Sequence, residues 1–384
     1  MKRTNSKTLL DTPLLKNKCV SREFTKAIDD TASAHWIDWL ETIFPQQIYT
    51  ANKYVINESS DASCARIPTL KTSTNGKPSM ASTNIDKAKA LATSFFPSAP
   101  SSTSIPQDHE YSILVSGLWY FSHHQIRETA KLLKPHKAPS LDGIPNVILI
   151  KCIDTLINHL FFIYRAAIEH NFYHDRWLLS TTLVLHKPGK PAYDVAKAYR
   201  PIGLLDTISK LLSMLITADL SHLAEQHNML PGEQFGSRSG RNTSNAMHIV
   251  AHKIKDTWRV GKVTVALFLD LQSAFPNTIK AQLLHNIRAC GVPLCYMNLI
   301  NTMLTGRKIQ LKFNDFSLDP ININNGTIQS CPLSMILYAF YNAPLIEVAL
   351  HKCETSLGFV DDSMFLAVAN SLSDAHVTVK DMME

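Results

Sequence analysis

The stretch LGFVDDSMFLA, residues 357–367, constrains the fold more tightly than any other part of the chain. It sets two adjacent carboxylates, Asp361 and Asp362, inside an apolar run. Leu357, Phe359, Met364, Phe365 and Leu366 suit a pleated, largely buried surface, so the flanks read as strand. An ionised carboxylate buried without a partner costs several kcal/mol, so two neighbours need either solvent at a turn or a cation. A two-residue Asp-Asp turn between two strands meets the first need, a metal site the second. This stretch alone leaves both open.

The chain has 384 residues, enough for a substantial core and two or three subdomains. Net charge is +6, permissive of a polyanionic partner without demanding one. The seven cysteines are an odd number, scattered, with no leading hydrophobic signal segment, and read as reduced thiols. Cys290 and Cys295 lie close together, yet no second Cys or His pair completes a zinc pattern. No apolar run of about 18 residues is free of a charged or strongly polar interruption, so no membrane partner is expected.

Residues 1–110 differ from the rest. A basic start and a Trp-bearing helical stretch, SAHWIDWLETIF, give way to Ser, Thr, Asn and Pro-rich segments, which read as a partly disordered linker with a helix or two. Periodic elements follow closely from residue 111. Ile153, Leu156, Ile157, Leu160, Phe161, Tyr164 and Ile168 mark one helix; Ile208, Leu211, Leu212, Leu215, Ile216, Leu220 and Leu223 mark another. LLSTTLVLHKPGK reads as a strand running into a Pro-Gly turn. KVTVALFLDL is a strand leading through QSAFPN into a helix that Gly291 should stop. KIQLKFNDFSLDPININN alternates like a hairpin, and PLSMILYAFYNAPLIEVAL predicts a buried helix ending or kinking near Pro344. Mixed helices and antiparallel hairpins make the class α+β.

Asp270 ends an apolar strand, and Asp361 with Asp362 follows about 90 residues later. Three carboxylates at strand ends are what a two-metal site needs: two divalent cations about 4 Å apart demand anionic ligands, and hard Mg²⁺ prefers carboxylate oxygens with substrate phosphates.

LFLDLQSAFPN, NNGTIQSCPLSMILY and GFVDD, in this order, resemble three successive palm motifs of reverse transcriptases, particularly those of non-LTR (LINE-like) retrotransposons. Upstream, LVLHKPGK, YRPIGLLDTISKLL and EQFGSRSGRNTSNAMH resemble that family's fingers motifs, and HKAPSLDGIPNVIL the segment before them. The resemblance runs from about residue 130 to 384, and a weaker similarity to the linker of fungal elements reaches back to HWIDWLETIF.

The resemblance implies a right-hand polymerase with an antiparallel palm sheet packed on helices: a linker at 1–110, fingers at 111–260 and a palm at 261–384. It implies that Asp270, Asp361 and Asp362 form the catalytic site for Mg²⁺ or Mn²⁺, with Asp361 ranked above Asp362 as direct ligand. Phe275 falls where the family places a ring under the incoming sugar, favouring deoxynucleotides. Lys187 and Arg200 match the basic positions that hold the triphosphate, and a guanidinium grips phosphate in bidentate fashion. Gln329 matches the Gln near the nucleotide. Arg238 and Arg241 are expected to contact the template backbone.

Two departures stand out. Ser330 occupies the place of the glycine that usually follows the Gln; a positive φ there would cost of order 1 kcal/mol. Glu384 lies about twenty residues past the third palm motif, so the next palm segment and the thumb are expected to be missing, as is an endonuclease domain before the motifs. The reading is an RNA-directed DNA polymerase acting on an RNA template, a DNA primer and deoxynucleoside triphosphates, with no obligate protein partner. Its alternatives are a truncated, catalytically inactive remnant that binds nucleic acid, and a maturase-like or other template-directed polymerase. The family implies a nuclear location, for which MKR is no convincing import signal.

Overall fold

The computed structural model describes residues 67–383, save 75–76, 101–102, 104, 107, 118–119, 136, 314–315 and 328–329, together with helical positions scattered between 23 and 42. The chain divides into two units, Met1–Ser63 and Cys64–Glu384. In the first, the Trp-bearing stretch is helical wherever it is described, at 33–38 and 41–42.

The second unit opens with an antiparallel hairpin, β1 (Leu70–Thr74) and β2 (Lys77–Ala81), and helix α1 (Asn84–Phe95). Thr83 caps α1 by accepting a hydrogen bond from the Asp86 amide at 3.1 Å. Helices α2 (His123–Lys131) and α3 (Asn146–Glu169) follow, then the short α4 (Asp175–Leu178) and strands β3 (Leu179–His186) and β4 (Tyr199–Leu204). Helices α5 (Thr207–Gln226) and α6 (Thr243–Arg259) lead to β5 (Val263–Asp270). Next come α7 (Ala274–Asn277), α8 (Lys280–Ala289), α9 (Leu294–Leu304) and strands β6 (Arg307–Phe313), β7 (Phe316–Ser317) and β8 (Ile321–Ile323). Helix α10 (Pro332–Ile346), the strands β9 (Glu354–Phe359) and β10 (Asp362–Ala369), and α11 (Leu372–Asp381) complete the unit.

The helical periodicities hold. Leu149, Ile153, Ile157, Leu160, Tyr164 and Ile168 form the buried stripe of α3, and α5 buries Leu211, Leu212, Leu215, Ile216, Leu220 and Leu223. These stripes meet α8, α9 and α10 in one large core. By length and composition α3 is long and apolar enough to cross a bilayer, and here its stripe packs into that core. Gly291 takes φ +81° just past α8, and Pro344 lies in the last turn of α10, where the loss of its amide bond helps end the helix at Ile346. All five cysteines among the described residues are unpaired.

Two sheets carry the rest. One is antiparallel, in the order β5-β10-β9. The other runs β4-β3-β6-β7, with β8 also on β6, and its β3–β6 pair is parallel. Through that pair β6, from the stretch after residue 260, shares a sheet with β3 from the stretch before it. The linker expectation is corrected for residues 67–96. Ile67, Leu70, Leu91 and Phe95 are buried in one cluster with Val184, Tyr199, Ile309 and Leu311, so hairpin and α1 cover the second sheet.

Candidate active site

The turn between β9 and β10 is built from Val360 and Asp361, because Phe359 pairs with Asp362. The sequence placed both acids in the turn; instead Asp362 opens β10, directly across from Asp270 at the end of β5. Asp270 thus lines a groove with each of the two acids. Asp361 and Asp270 line one cleft of about 550 Å³ together with Lys187, Arg200 and Phe275. Asp362 lies with Asp270, Phe268 and Met247 on a neighbouring apolar groove.

The turn is strained. Val360 adopts φ +62°, a region in which a β-branched residue is a genuine outlier. Its side chain is buried against Ala274 and Tyr338, and Asn342 of α10 reaches the Val360 carbonyl at 3.5 Å and the Ser363 hydroxyl at 3.3 Å. Burial raises the pKa of Asp361, and the charges of Asp362 and Asp270 raise it further. Burial likewise pushes up the Tyr338 phenol, with the Asp361 charge as the next cause.

Lys187 follows β3, its amide donating to the Ala198 carbonyl at 2.9 Å, and Arg200 lies on β4 opposite Leu185. Partial burial lowers the Lys187 pKa, and Lys190 and Arg200 lower it further, so cations crowd this wall as carboxylates crowd the other. Phe275 is half-buried, with its ring 5.2 Å from that of Tyr338. Gln329 lies outside the described residues. Ser330 has φ +85°, so serine sits in backbone that favours glycine.

Arg238 and Arg241, expected at the template backbone, are both engaged within the chain. Arg238 is 8% exposed, and its guanidinium donates to both Glu225 oxygens, at 2.7 and 2.9 Å, and to the Pro231 carbonyl at 2.5 Å. A phosphate would have to break that ion pair to reach it. Arg241 donates to the Gly232 carbonyl and stacks over Phe235 at 5.4 Å. Both arginines clasp a loop that runs beside β9: the Phe235 amide donates to the Gly358 carbonyl at 2.7 Å, and the Gly358 amide to the Glu233 carbonyl at 3.0 Å. Gly236 abuts the Val360 amide so closely that no Cβ would fit. The loop therefore buttresses the strained turn.

Among the described residues no three His, Cys, Asp or Glu side chains gather into a set that could hold a metal ion as they stand. The donors still suit a hard cation. Asp270 and Asp361 offer carboxylate oxygens to one cleft, their mutual repulsion lacks an offsetting charge, and Mg²⁺ commonly takes one or two carboxylates with substrate phosphates. Sequence reasoning missed Asn342 and Tyr338, whose signals were a lone amide and a phenol inside an otherwise apolar helix.

Mixed helices and antiparallel strands, with acids at paired strand ends, fit a polymerase fold. The family described as reverse transcriptase (RNA-dependent DNA polymerase) matches residues 185–384, more than half of the chain, and the chain belongs to it. It is 29% identical over 256 residues to a protein named "Probable RNA-directed DNA polymerase from transposon BS" of Drosophila melanogaster, covering 65% of this chain and 28% of that one. It is 29% identical over 244 residues to "Probable RNA-directed DNA polymerase from transposon X-element" of the same organism, covering 63% and 27%. To "RNA-directed DNA polymerase from mobile element jockey" of Drosophila funebris it is 26% identical over 221 residues, covering 58% and 24%. The chain thus spans about a quarter of the length of these relatives, and they are insect proteins, which gives the fungal assignment no support.

Proposed function

We propose that this chain performs RNA-directed DNA synthesis, with β3, β4 and their neighbours as fingers and the three-stranded sheet as palm. One observation carries the reading: Asp270, at the end of β5, and Asp361, in the turn before its partner strand β10, share a cleft with Lys187 and Arg200. Lys187 and Arg200 grip the triphosphate of an incoming deoxynucleotide, Arg200 in bidentate fashion. Phe275 forms the floor under the sugar, where a ring collides with a 2'-hydroxyl. Asp270 and Asp361 would hold Mg²⁺ or Mn²⁺, which would lower the pKa of the primer 3'-hydroxyl and stabilise the leaving pyrophosphate. Asp362, paired across the strands with Asp270 and lining the neighbouring groove, adds negative charge beside the cleft. An RNA template and a DNA primer are the remaining partners.

The inactive-remnant reading keeps one specific support, the positive φ of Ser330 beside the nucleotide loop. Purified protein with Mg²⁺, oligo(dT) annealed to poly(rA) and labelled dTTP separates the two. Incorporation by wild type and none by Asp361→Asn is expected. Equal incorporation by both would reject the site. No incorporation, with template binding that weakens steeply as salt rises, would favour the remnant.

A further inference from the structure

Arg307, the first residue of β6, is 4% exposed, and among the described residues no carboxylate pairs with it. Burial lowers its pKa to about 10, so it stays charged at neutral pH. Its guanidinium instead gathers main-chain carbonyls: Nη2 donates to Asn325 at 2.8 Å and to Gly326 at 2.6 Å, and Nε to Leu304 at 3.4 Å. A buried cation without a counter-ion is costly, and a well-packed apolar side chain would usually fill such a place at least as stably. What the arginine adds is a fixed turn at 325–326, since two successive carbonyls converge on one planar group.

That turn is joined to the segment carrying Phe275. The Thr327 amide donates to the Phe275 carbonyl at 2.8 Å, the Gly326 amide to the Thr278 carbonyl at 2.9 Å, and Asn325 Nδ2 to the Pro276 carbonyl at 3.4 Å. Contact is tight: Gly326 has φ +73°, and a Cβ there would lie 2.5 Å from the Pro276 oxygen. Helix α7, which bears Phe275, is a single turn entered through Ser273 at φ +56°, too short to fix its own orientation. Arg307, pinned on β6 opposite Ile323 of β8, supplies the rigid anchor that α7 lacks.

We infer that Arg307 is a positioning residue for sugar selection: through the 325–327 turn it sets the height of Phe275 in the nucleotide cleft. This rests on the polymerase reading above. The test compares incorporation of dTTP and UTP on oligo(dT)/poly(rA) by wild type, Phe275→Ala, Arg307→Lys and Gly326→Ala. Lysine keeps the charge and loses the fork, while the alanine at 326 pushes on Pro276 and leaves the arginine side chain in place. Both should lower the preference for dTTP, measured as the ratio of kcat/KM values, by about tenfold or more. Adding Arg307→Lys to Phe275→Ala should change that ratio no further. A merely structural arginine would lower the active fraction alike for both nucleotides and leave the ratio intact. An unchanged ratio, with Phe275→Ala shifting it, overturns the positioning role and leaves the polymerase reading standing. Absence of incorporation by wild type overturns that reading, and the positioning role with it. Should Arg307→Lys not fold, Gly326→Ala decides from the other side of the contact.

Discussion

Asp361 pays for its place twice, through the left-handed Val360 before it and through the acids around it. Strain and repulsion of this kind persist where the surroundings over-determine a conformation that function uses. The raised pKa gives the cost a sign. The folded chain binds a proton at Asp361 more readily than the unfolded chain does, so the ionised form destabilises the fold at neutral pH. The cost disappears as pH falls through the folded pKa towards the range where both states are protonated. Asp361→Asn should therefore raise the thermal midpoint at neutral pH while abolishing incorporation. The difference should shrink at about pH 4, near the ordinary carboxyl range. Mg²⁺ should narrow it at neutral pH by binding folded wild type alone. Melting curves at both pH values, with and without Mg²⁺, check this; a variant less stable at neutral pH would mean that the carboxylate has an attractive partner. The sequence showed that strand-end acids gather here. It did not show which one faces the cleft, because moving the turn by one residue exchanges the two faces of the strand.

The loop following α5 teaches the same lesson at the level of an element. A Gly and Ser-rich segment with two arginines reads as a flexible basic surface, and the chain instead folds it onto β9. The deciding partner is Glu225, near the end of α5, which tertiary packing alone brings to Arg238. Arg238→Ala leaves that carboxylate unpaired and removes one of the two donors to the Pro231 carbonyl, which keeps the Gln234 amide. It should cost about 3 kcal/mol, the low end for breaking a buried pair, because Glu225 keeps some solvent. Urea unfolding measures the loss. The salt dependence of template binding by the folded variant should keep its slope, whereas a lost phosphate contact would reduce that slope by about one. Helices α3, α5 and α10 were legible because periodicity is local. The parallel β3–β6 pair was not, since its strands lie more than a hundred residues apart and alternation carries no partner information.

For the whole molecule, the clearest departure from the sequence reading is the role of residues 67–96. Their polar composition suggested a linker, and the Asn75-Gly76 pair, a hairpin signal in its own right, was obscured by the Ser and Thr around it. Among the described residues of the hairpin only Leu70 and Ala81, paired at its open end, are buried, yet with Ile67, Leu91 and Phe95 they cover one face of the β4-β3-β6-β7 sheet. That sheet also carries Lys187 and Arg200, so the cover supports a wall of the cleft; Phe95 itself lines the cleft. Two truncations test this. A chain beginning at residue 64 keeps all four apolar clusters and should melt cooperatively, with its core near-UV signature intact. A chain beginning at residue 97 exposes Tyr199, Ile309 and Leu311. Losing the burial of Ile67, Leu70, Leu91 and Phe95, at about 1.5–3 kcal/mol each, removes as much as a typical domain has to spare. It should aggregate or melt without a cooperative transition. A cooperative fold with unchanged nucleotide affinity from residue 97 onward would show instead that the sheet stands without its cover.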